Sequence, residues 1–420
     1  MYWIVYRLAE SLPRKYWEFW HIPLATLTEP TTLTSFHRPG RKHQGLLVLI
    51  SESGMWRAVA SVRDPIIAIG SLSLRASTHY LSTFSGTSTT LEYKDYGDPL
   101  KVVMKNEVKI PELKKGEVLV QMLAAPVNPA DINTIQGVYA IKPQLPSIPG
   151  NEGVGEVMAV KEGKKDIMLQ PGDHVIPRIN AMGTWRTHLV ASSTDLIKIP
   201  SDIGVVEAAT IAVNPATAYR MLKDFVPVKS GETVIQNGAN SAVGQAVIQI
   251  AASLGLKTVN IVRDRPDISK LKQHLSDLGG TVVVTEEELR NSREVKALPR
   301  PMLALNCVSG RSGTELLRQL APQGTMVTYG GMSRQPVTVP VGALIFNDIS
   351  FKGFWMTRWN QQHQHHPARE EMLNNLFHLV RSGALQSPDH TTVPFSDYQL
   401  ALQNAMPSKG MLGKKQILTF

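Results

Sequence analysis

Gly231 to Asp267 reads GETVIQNGANSAVGQAVIQIAASLGLKTVNIVRDRPD. A strand-like apolar run, Thr233 to Gln236, leads into a turn of small residues that includes Gly238, Ala239, Asn240, Ser241, Ala242, Val243 and Gly244. Val247, Ile248, Ile250, Ala251 and Leu254 then recur at helical spacing, and Lys257 to Val262 returns to a buried-strand pattern. Strand, slim turn, helix and strand form the first half of a dinucleotide-binding unit, because backbone N–H groups of a slim turn can approach a pyrophosphate. About twenty residues past the turn, where a carboxylate commonly meets the ribose 2′-hydroxyl, the chain places Arg263-Asp264-Arg265. Two guanidiniums there suit a 2′-phosphate, so NADPH is the expected cofactor rather than NADH. Ala242 stands where glycine is more usual, and its methyl group is expected to crowd the pyrophosphate.

Toward the carboxyl end the alternation continues through Leu271 to Leu278, Thr281 to Thr285, Glu286 to Asn291, Met302 to Val308, Thr314 to Leu320, and Thr325 to Tyr329, which runs into Gly330-Gly331. Such alternation predicts a doubly wound parallel sheet with helices on both faces. The glycine pair falls where ligands of open α/β sheets sit, at a strand's carboxyl end. After Phe351 the chain is expected to leave this sheet, with helices at Glu370 to Arg381 and Tyr398 to Ala405 and a closing strand at Gln416 to Phe420.

The segment before the nucleotide unit has a different character, with short strands separated by turns. Leu91 to Tyr96 and Lys101 to Met104 read as a paired edge, and Glu117 to Ala125 as a strong strand. Asn128 has the chemistry of an N-cap, Pro129 suits the first helical position, and a short helix, Ala130 to Ile135, should end at Gly137. Further strands are expected at Val154 to Val160, His174 to Arg178 and Leu189 to Pro200, then helices at Glu207 to Ala218 and Thr217 to Phe225. This is an all-β, barrel-like module, and its junction with the nucleotide unit is the expected ligand cleft.

The net charge of +9 is diffuse: the first ninety residues hold nine Lys/Arg against five Asp/Glu, and the rest of the excess is spread along the body. No dense basic block supports nucleic-acid binding, and no run of eighteen apolar residues predicts a membrane span. Cys307, the only cysteine, excludes an internal disulfide and a cysteine-rich zinc lobe, and reads as a buried strand residue. From Met55 to Thr90 the chain is rich in Ser and Arg with one acid, Asp64, the composition of a mitochondrial transit peptide. Residues 1–54 differ in composition and are expected to be a disordered upstream extension.

The ordered motifs AAPVNPADINTIQGVY (Ala124 to Tyr139), PGNEGVGEV (Pro149 to Val157), PGDHVIP (Pro171 to Pro177), GTWRTH (Gly183 to His188), AVNPATAYRML (Ala212 to Leu222), the small-residue turn, YGGM (Tyr329 to Met332) and KGFWMTRW (Lys352 to Trp359) resemble the medium-chain dehydrogenase/reductase superfamily. Within it they resemble the mitochondrial trans-2-enoyl-thioester reductases of type II fatty-acid synthesis, over Leu91 to Phe420. The resemblance implies a GroES-like barrel catalytic domain, residues 91–212 and 359–420, around a Rossmann NADP-binding domain, residues 213–358. Zinc-dependent relatives carry Gly-His-Glu where this chain has Gly150-Asn151-Glu152, and their cysteine ligands are missing, so no metal site is expected.

Similarity also implies roles. Tyr139 is at the position of the catalytic acid, and a tyrosine, with an ordinary pKa near 10, can hold a proton for a substrate α-carbon. Asn214 resembles a nicotinamide-side contact, Asn240 to Val243 the pyrophosphate turn and Arg263 to Arg265 the 2′-phosphate clamp. Tyr329, Gly330, Gly331 and Met332, together with Phe354, Trp355, Met356 and Thr357, resemble the walls beside the nicotinamide, and Lys415 a further cofactor contact. Phe354, Trp355 and Trp359 are expected to line an acyl tunnel. The implied partners are an enoyl-CoA or enoyl-acyl-carrier-protein substrate, acyl-carrier protein itself and a second copy of the chain, in the mitochondrial matrix. Two alternatives remain open: an NADPH quinone or alkenal oxidoreductase of the same superfamily, and a non-catalytic RNA- or receptor-binding protein on this fold.

Overall fold

The computed structural model describes residues 47–50, 56–59, 86–162, 169–406 and 413–420. The chain divides into two units, Met1–Ser82 and Thr83–Phe420. In the first, within and beside the extension expected to be disordered, Leu47–Ile50 pairs antiparallel with Trp56–Val59. The rest of residues 1–54, and the presequence up to residue 85 apart from Trp56–Val59, lie outside the described residues. Among the described residues no helix is long and apolar enough to cross a membrane.

The second unit holds two large sheets. One is a six-stranded, all-parallel sheet in the order Val282–Thr285, Lys257–Val262, Thr233–Asn237, Leu303–Asn306, Thr325–Thr328, Ser350–Gly353. Numbered along the chain this is 3-2-1-4-5-6, the doubly wound order whose direction reverses beside the first strand. Thr233–Asn237 is buried at all five positions, as a central strand covered on both faces must be. The other sheet runs His390–Pro394, Lys415–Thr419, Glu117–Pro126, Val154–Val160, His174–Pro177, Leu196–Lys198, with His188–Ser192 also paired to Glu117–Pro126. No pairing joins its two outer strands among the described residues, so the barrel is open.

One apolar core serves both sheets. It includes Ala124, Val154, Ile176 and Ile417 from the open barrel, Val234, Leu303 and Val327 from the parallel sheet, and Met356, Trp359 and Leu376 from the segment that returns to the barrel.

Several expected elements shift for local reasons. Asp98 accepts a hydrogen bond from the Leu100 N–H at 3.1 Å, and Pro99 opens a one-turn helix, Pro99–Val102, where Lys101 to Met104 was expected to be strand. The strand begins at Val103 instead and pairs with Thr87–Tyr93. Ser88 and Thr90 are buried there, so the folded unit reaches back into the segment assigned to the presequence. Leu189 to Pro200 is broken by a 3-10 turn at Ser193–Asp195, where the Ser192 hydroxyl accepts from the Thr194 N–H. The helix expected from Glu207 to Ala218 stops at Thr210 and a new one starts at Asn214, because Pro215 has no N–H to continue the ladder. Glu286 to Asn291 forms turns rather than a helix, with Glu288 accepting from the Thr285 N–H at 2.8 Å. Phe351 lies inside the sixth strand, and the chain leaves the parallel sheet only after Gly353.

Candidate functional site

At the carboxyl end of the first parallel strand, the buried Asn237 side chain ties three segments together. Its Nδ2 donates to Asn306 Oδ1 at 2.9 Å and to Ser312 Oγ at 3.2 Å, and its Oδ1 accepts from the Cys307 N–H at 2.8 Å. Gly238 follows at φ +62, where a Cβ would stand 2.5 Å from Cys307 Sγ, so neither conformation nor space admits a side chain. Ser241 then caps the helix Ala242–Ser253, its hydroxyl accepting from the Gly244 N–H at 3.1 Å. The first amides of that helix, at Ala242 and Val243, have no intrahelical carbonyl partner and lie at the sheet's switch point, the geometry that receives an anion. Within the turn itself the close approach is at Gly244, where a Cβ would meet Ala239 O at 2.5 Å.

Arg263, Asp264 and Arg265 follow the second strand. Asp264 Oδ1 accepts from the Arg265 N–H at 2.8 Å, so this carboxylate is turned onto its own backbone. Arg265 Nε is buried without a hydrogen-bond partner among the described residues, an orphaned donor that fits a 2′-phosphate. The fifth strand runs into Tyr329, whose hydroxyl lies against Cys307 and Ser241 and is pushed well above the ordinary tyrosine range, chiefly by burial. Burial also pushes the Cys307 thiol up to about 11, which leaves it an inert neutral group at this switch point. A Cβ on Gly330 would meet Cys307 O at 2.9 Å, and the Ser309 hydroxyl donates to Gly330 O at 3.1 Å, so this wall is closely packed backbone.

Tyr139 follows the helix Pro129–Ile135 after Gly137, which has φ +73, and its N–H donates to Asn133 O at 3.1 Å. It shares a cleft with Asp131, Thr134, Pro149, Asn151 and Ala181. Trp355, 216 positions away, donates its indole N–H to the Tyr139 hydroxyl oxygen at 2.7 Å, with the two rings edge to face at 6.0 Å. This contact links the barrel side of the cleft to the chain leaving the parallel sheet. Phe354 is edge to face with Phe225 at 6.0 Å, Met356 is buried in the shared core, and Thr357 O accepts from Asn180 Nδ2 at 3.2 Å. Trp359 is not in the cleft: it is core, with the Arg220 guanidinium 4.7 Å from its ring centroid and His363 stacked at 4.2 Å.

Behind Tyr139 lies a buried polar network that sequence reasoning missed, having read Asn128 and Asp131 only as helix-cap residues. Asn128 Nδ2 donates to Glu152 Oε1 at 2.7 Å, while its Oδ1 accepts from Lys415 Nζ and from Asn214 Nδ2. The second oxygen of Glu152 accepts from the Val213 N–H at 3.0 Å. Asp131 accepts from the Asn128 N–H at 2.8 Å and from both the backbone N–H and Nδ2 of Asn151, at 3.1 and 2.6 Å. Burial pushes Glu152 up to about 7 and Asp131 up to about 6, and pushes Lys415 down. The available signal was an acid, Glu152, set among Gly150, Gly153 and Gly155 at the entry to a strand.

The Glu152 shift fixes a stability trend. Its folded value lies above the 4.5 of the free side chain, so between about pH 4.5 and 7 the native state binds more protons than the unfolded state. Stability therefore falls as pH rises through that window. Replacing Glu152 by Gln removes this dependence, so the melting temperature of Glu152→Gln relative to the parent chain should be more favourable at about pH 8 than at pH 5. A difference independent of pH would contradict the buried, raised carboxyl.

Two family models match the chain: the alcohol dehydrogenase GroES-like domain over residues 114–201 and the zinc-binding dehydrogenase domain over residues 242–373. The rat mitochondrial enoyl-[acyl-carrier-protein] reductase is 51% identical over 348 residues, covering 82% of this chain and 92% of that protein. The human protein of the same name is 49% identical over 373 residues, covering 87% and 99%. This chain belongs to the mitochondrial enoyl-[acyl-carrier-protein] reductase family. Among solved structures, the Etr1p/NADP/crotonyl-CoA complex is 34% identical with a TM-score of 0.73, covering 80% of this chain and all of that one. The Etr1p/Etr2p heterodimer of mitochondrial 2-enoyl thioester reductase from Candida tropicalis matches equally, at 34% and 0.73 with the same coverage. One matched model is named for zinc, but the residues of this enoyl reductase family member do not fit that ion. Asn151 uses its amide as a donor to Asp131, the Lys415 ammonium lies among the two carboxylates, and no three His, Cys, Asp or Glu side chains group as a metal site among the described residues.

Proposed function

We propose that the chain reduces trans-2-enoyl thioesters, carried on coenzyme A or acyl-carrier protein, to saturated acyl thioesters with NADPH, as the last reductive step of mitochondrial type II fatty-acid synthesis. The observation that carries this reading is the Tyr139 hydroxyl, which lines a cleft of the barrel module and is held by Trp355 from the segment just after the last strand of the doubly wound sheet. When bound, NADPH supplies the hydride. Arg263 and Arg265 take its 2′-phosphate, the amides of Ala242 and Val243 its pyrophosphate, and Asn214 and Lys415 its nicotinamide side.

Addition at the substrate β-carbon leaves an enolate that needs a proton at the α-carbon. The indole N–H of Trp355 occupies a lone pair of the Tyr139 oxygen, so the phenolic proton is free to point into the cleft. When that proton leaves, the same N–H meets the charge that develops on the oxygen. We therefore assign Tyr139 as the catalytic acid and Trp355 as the residue that orients it. NADPH consumption with trans-2-hexenoyl-CoA should exceed consumption with a quinone by orders of magnitude, and the reverse order would place the chain with the quinone oxidoreductases.

We further assign the chain to the matrix, with acyl-carrier protein as a partner; the Met55 to Thr90 composition supports the import this requires. A homodimer is our reading of the outer parallel strand. Ser350–Gly353 is exposed at all four positions, beside Val341, Leu344, Ile345 and Phe346, of which the last is 83% exposed. Alone, this edge would leave both unpaired backbone groups and several large apolar side chains in water. Two copies pairing edge to edge cover both. Ile345→Asp with Phe346→Asp should convert the mass seen by light scattering from dimer to monomer, and a variant that stays dimeric would contradict this interface.

A further inference from the structure

Glu152 is 1% exposed, and each of its oxygens accepts from nitrogen: one from Asn128 Nδ2, the other from the Val213 N–H. Both bonds favour the ionised form, against the burial that favours the neutral one. Two charged groups face it, Lys415 from the closing strand and Asp131 from the short helix. The Thr184 hydroxyl, from the loop across the barrel, donates to Glu152 O at 2.7 Å and is neutral.

The carboxylate decides how the Asn128 amide stands. With Nδ2 fixed on Glu152, Oδ1 must face the other way, and there it accepts from Lys415 and Asn214 together. Val213, held by the second carboxylate oxygen, is the residue immediately before Asn214 and the helix it opens. Glu152 therefore governs both the amide that orients Asn214 and the backbone that carries it. An uncharged, protonated side chain at 152 would instead donate toward Asn128, and the amide would turn its NH2 toward the Lys415 ammonium, donor against donor.

We propose that Glu152 is a positioning residue for the cofactor: through the Asn128 amide and the Val213 N–H it holds Lys415 and Asn214 in the pose that receives NADPH. This rests on the assignment of Lys415 and Asn214 to the nicotinamide side. Glu152 takes no part in hydride or proton transfer. Because burial places its titration near neutrality, cofactor affinity varies over the same range and is highest where Glu152 is ionised.

The test is NADPH binding, followed by its fluorescence, for the parent chain, Glu152→Gln, Glu152→Asp and Lys415→Met between about pH 6 and 8.5. At pH 8 Glu152→Gln should bind NADPH about tenfold more weakly, the loss expected for one hydrogen bond to a charged group. Its kcat at saturating NADPH should stay within about threefold of the parent. The ratio of the two dissociation constants should shrink toward one at pH 6, where the parent is itself protonated; taking the ratio cancels the titration of the cofactor's own 2′-phosphate. Glu152→Asp, which keeps the charge, should recover part of the affinity at pH 8.

If Lys415→Met binds NADPH more weakly but Glu152→Gln binds as the parent does at every pH, the positioning role is wrong and the Lys415 assignment stands. If Lys415→Met also binds as the parent does, the cofactor assignment fails and the proposal with it. Should Glu152→Gln not fold, the parent chain alone decides, titrated with NADH, which has no 2′-phosphate to protonate. An NADH dissociation constant that is flat from pH 6 to 8.5 overturns the proposal.

Discussion

Tyr139→Phe is expected to lower kcat for trans-2-hexenoyl-CoA by about 10²- to 10³-fold, within the range contributed by a positioned general acid, while leaving NADPH binding within about threefold. The substitution removes one oxygen and keeps the ring, so the edge-to-face contact with Trp355 survives and only the proton and its acceptor are lost. Trp355→Phe supplies the comparison. It keeps an aromatic edge but removes the indole N–H that fixes the phenol at 2.7 Å, so it should cost less, about tenfold in kcat, the free energy of one neutral hydrogen bond. A Tyr139→Phe enzyme at full rate would remove Tyr139 from the chemistry altogether. Equal losses for both variants would make the pair a structural clasp across the cleft.

Arg263→Ala combined with Arg265→Ala should lower kcat/KM with NADPH by about 10²- to 10⁴-fold and leave that with NADH within about threefold. Each guanidinium bond to a dianionic phosphate contributes about 1.5–3 kcal/mol, and each 1.4 kcal/mol is a factor of ten. Arg265 Nε is buried with no hydrogen-bond partner among the described residues, so this donor has no bond there to give up when phosphate arrives. Asp264, turned onto the Arg265 amide, leaves the 2′-hydroxyl of NADH without its usual carboxylate partner. Steady-state rates with both cofactors decide the matter, and parallel losses would show that the two arginines support the loop rather than select the phosphate.

The parts of the molecule that were legible in the sequence are those built from neighbours. Gly238, Ser241 and Gly244 act within one turn, and the strands on either side of the helix Ala242–Ser253 announce themselves by their own periodicity, so the parallel sheet follows from local pattern. Mistakes arose where a short polar motif competes with a propensity run. Asp98-Pro99 starts a helix inside an apparent strand, Pro215 splits an apparent helix, and Ser192 folds a turn into a long strand. Tyr139 was legible only through resemblance, because nothing in GVYAIKP names its partner.

What could not be read was contact between distant positions. Trp355 reaches Tyr139 across 216 residues, and Lys415 reaches Asn128 across 287. Both pairs exist because Lys415–Thr419 returns to Glu117–Pro126 and the segment after Gly353 returns to the barrel, a topology no local spacing encodes. Lys415 read alone is a charge beside a terminal strand; in the fold it is a half-buried ammonium that donates to the Asn128 amide and faces the carboxylates of Glu152 and Asp131.

The central claim, that this chain delivers hydride to the β-carbon of an enoyl thioester, is tested most directly by following the label. NADPH carrying deuterium at both C4 positions, incubated in ordinary water with trans-2-hexenoyl-CoA, should give hexanoyl-CoA with one deuterium at the β-carbon and one solvent-derived proton at the α-carbon by mass spectrometry. Oxidation of NADPH with no deuterium in the acyl chain, or with no saturated thioester formed, would contradict it.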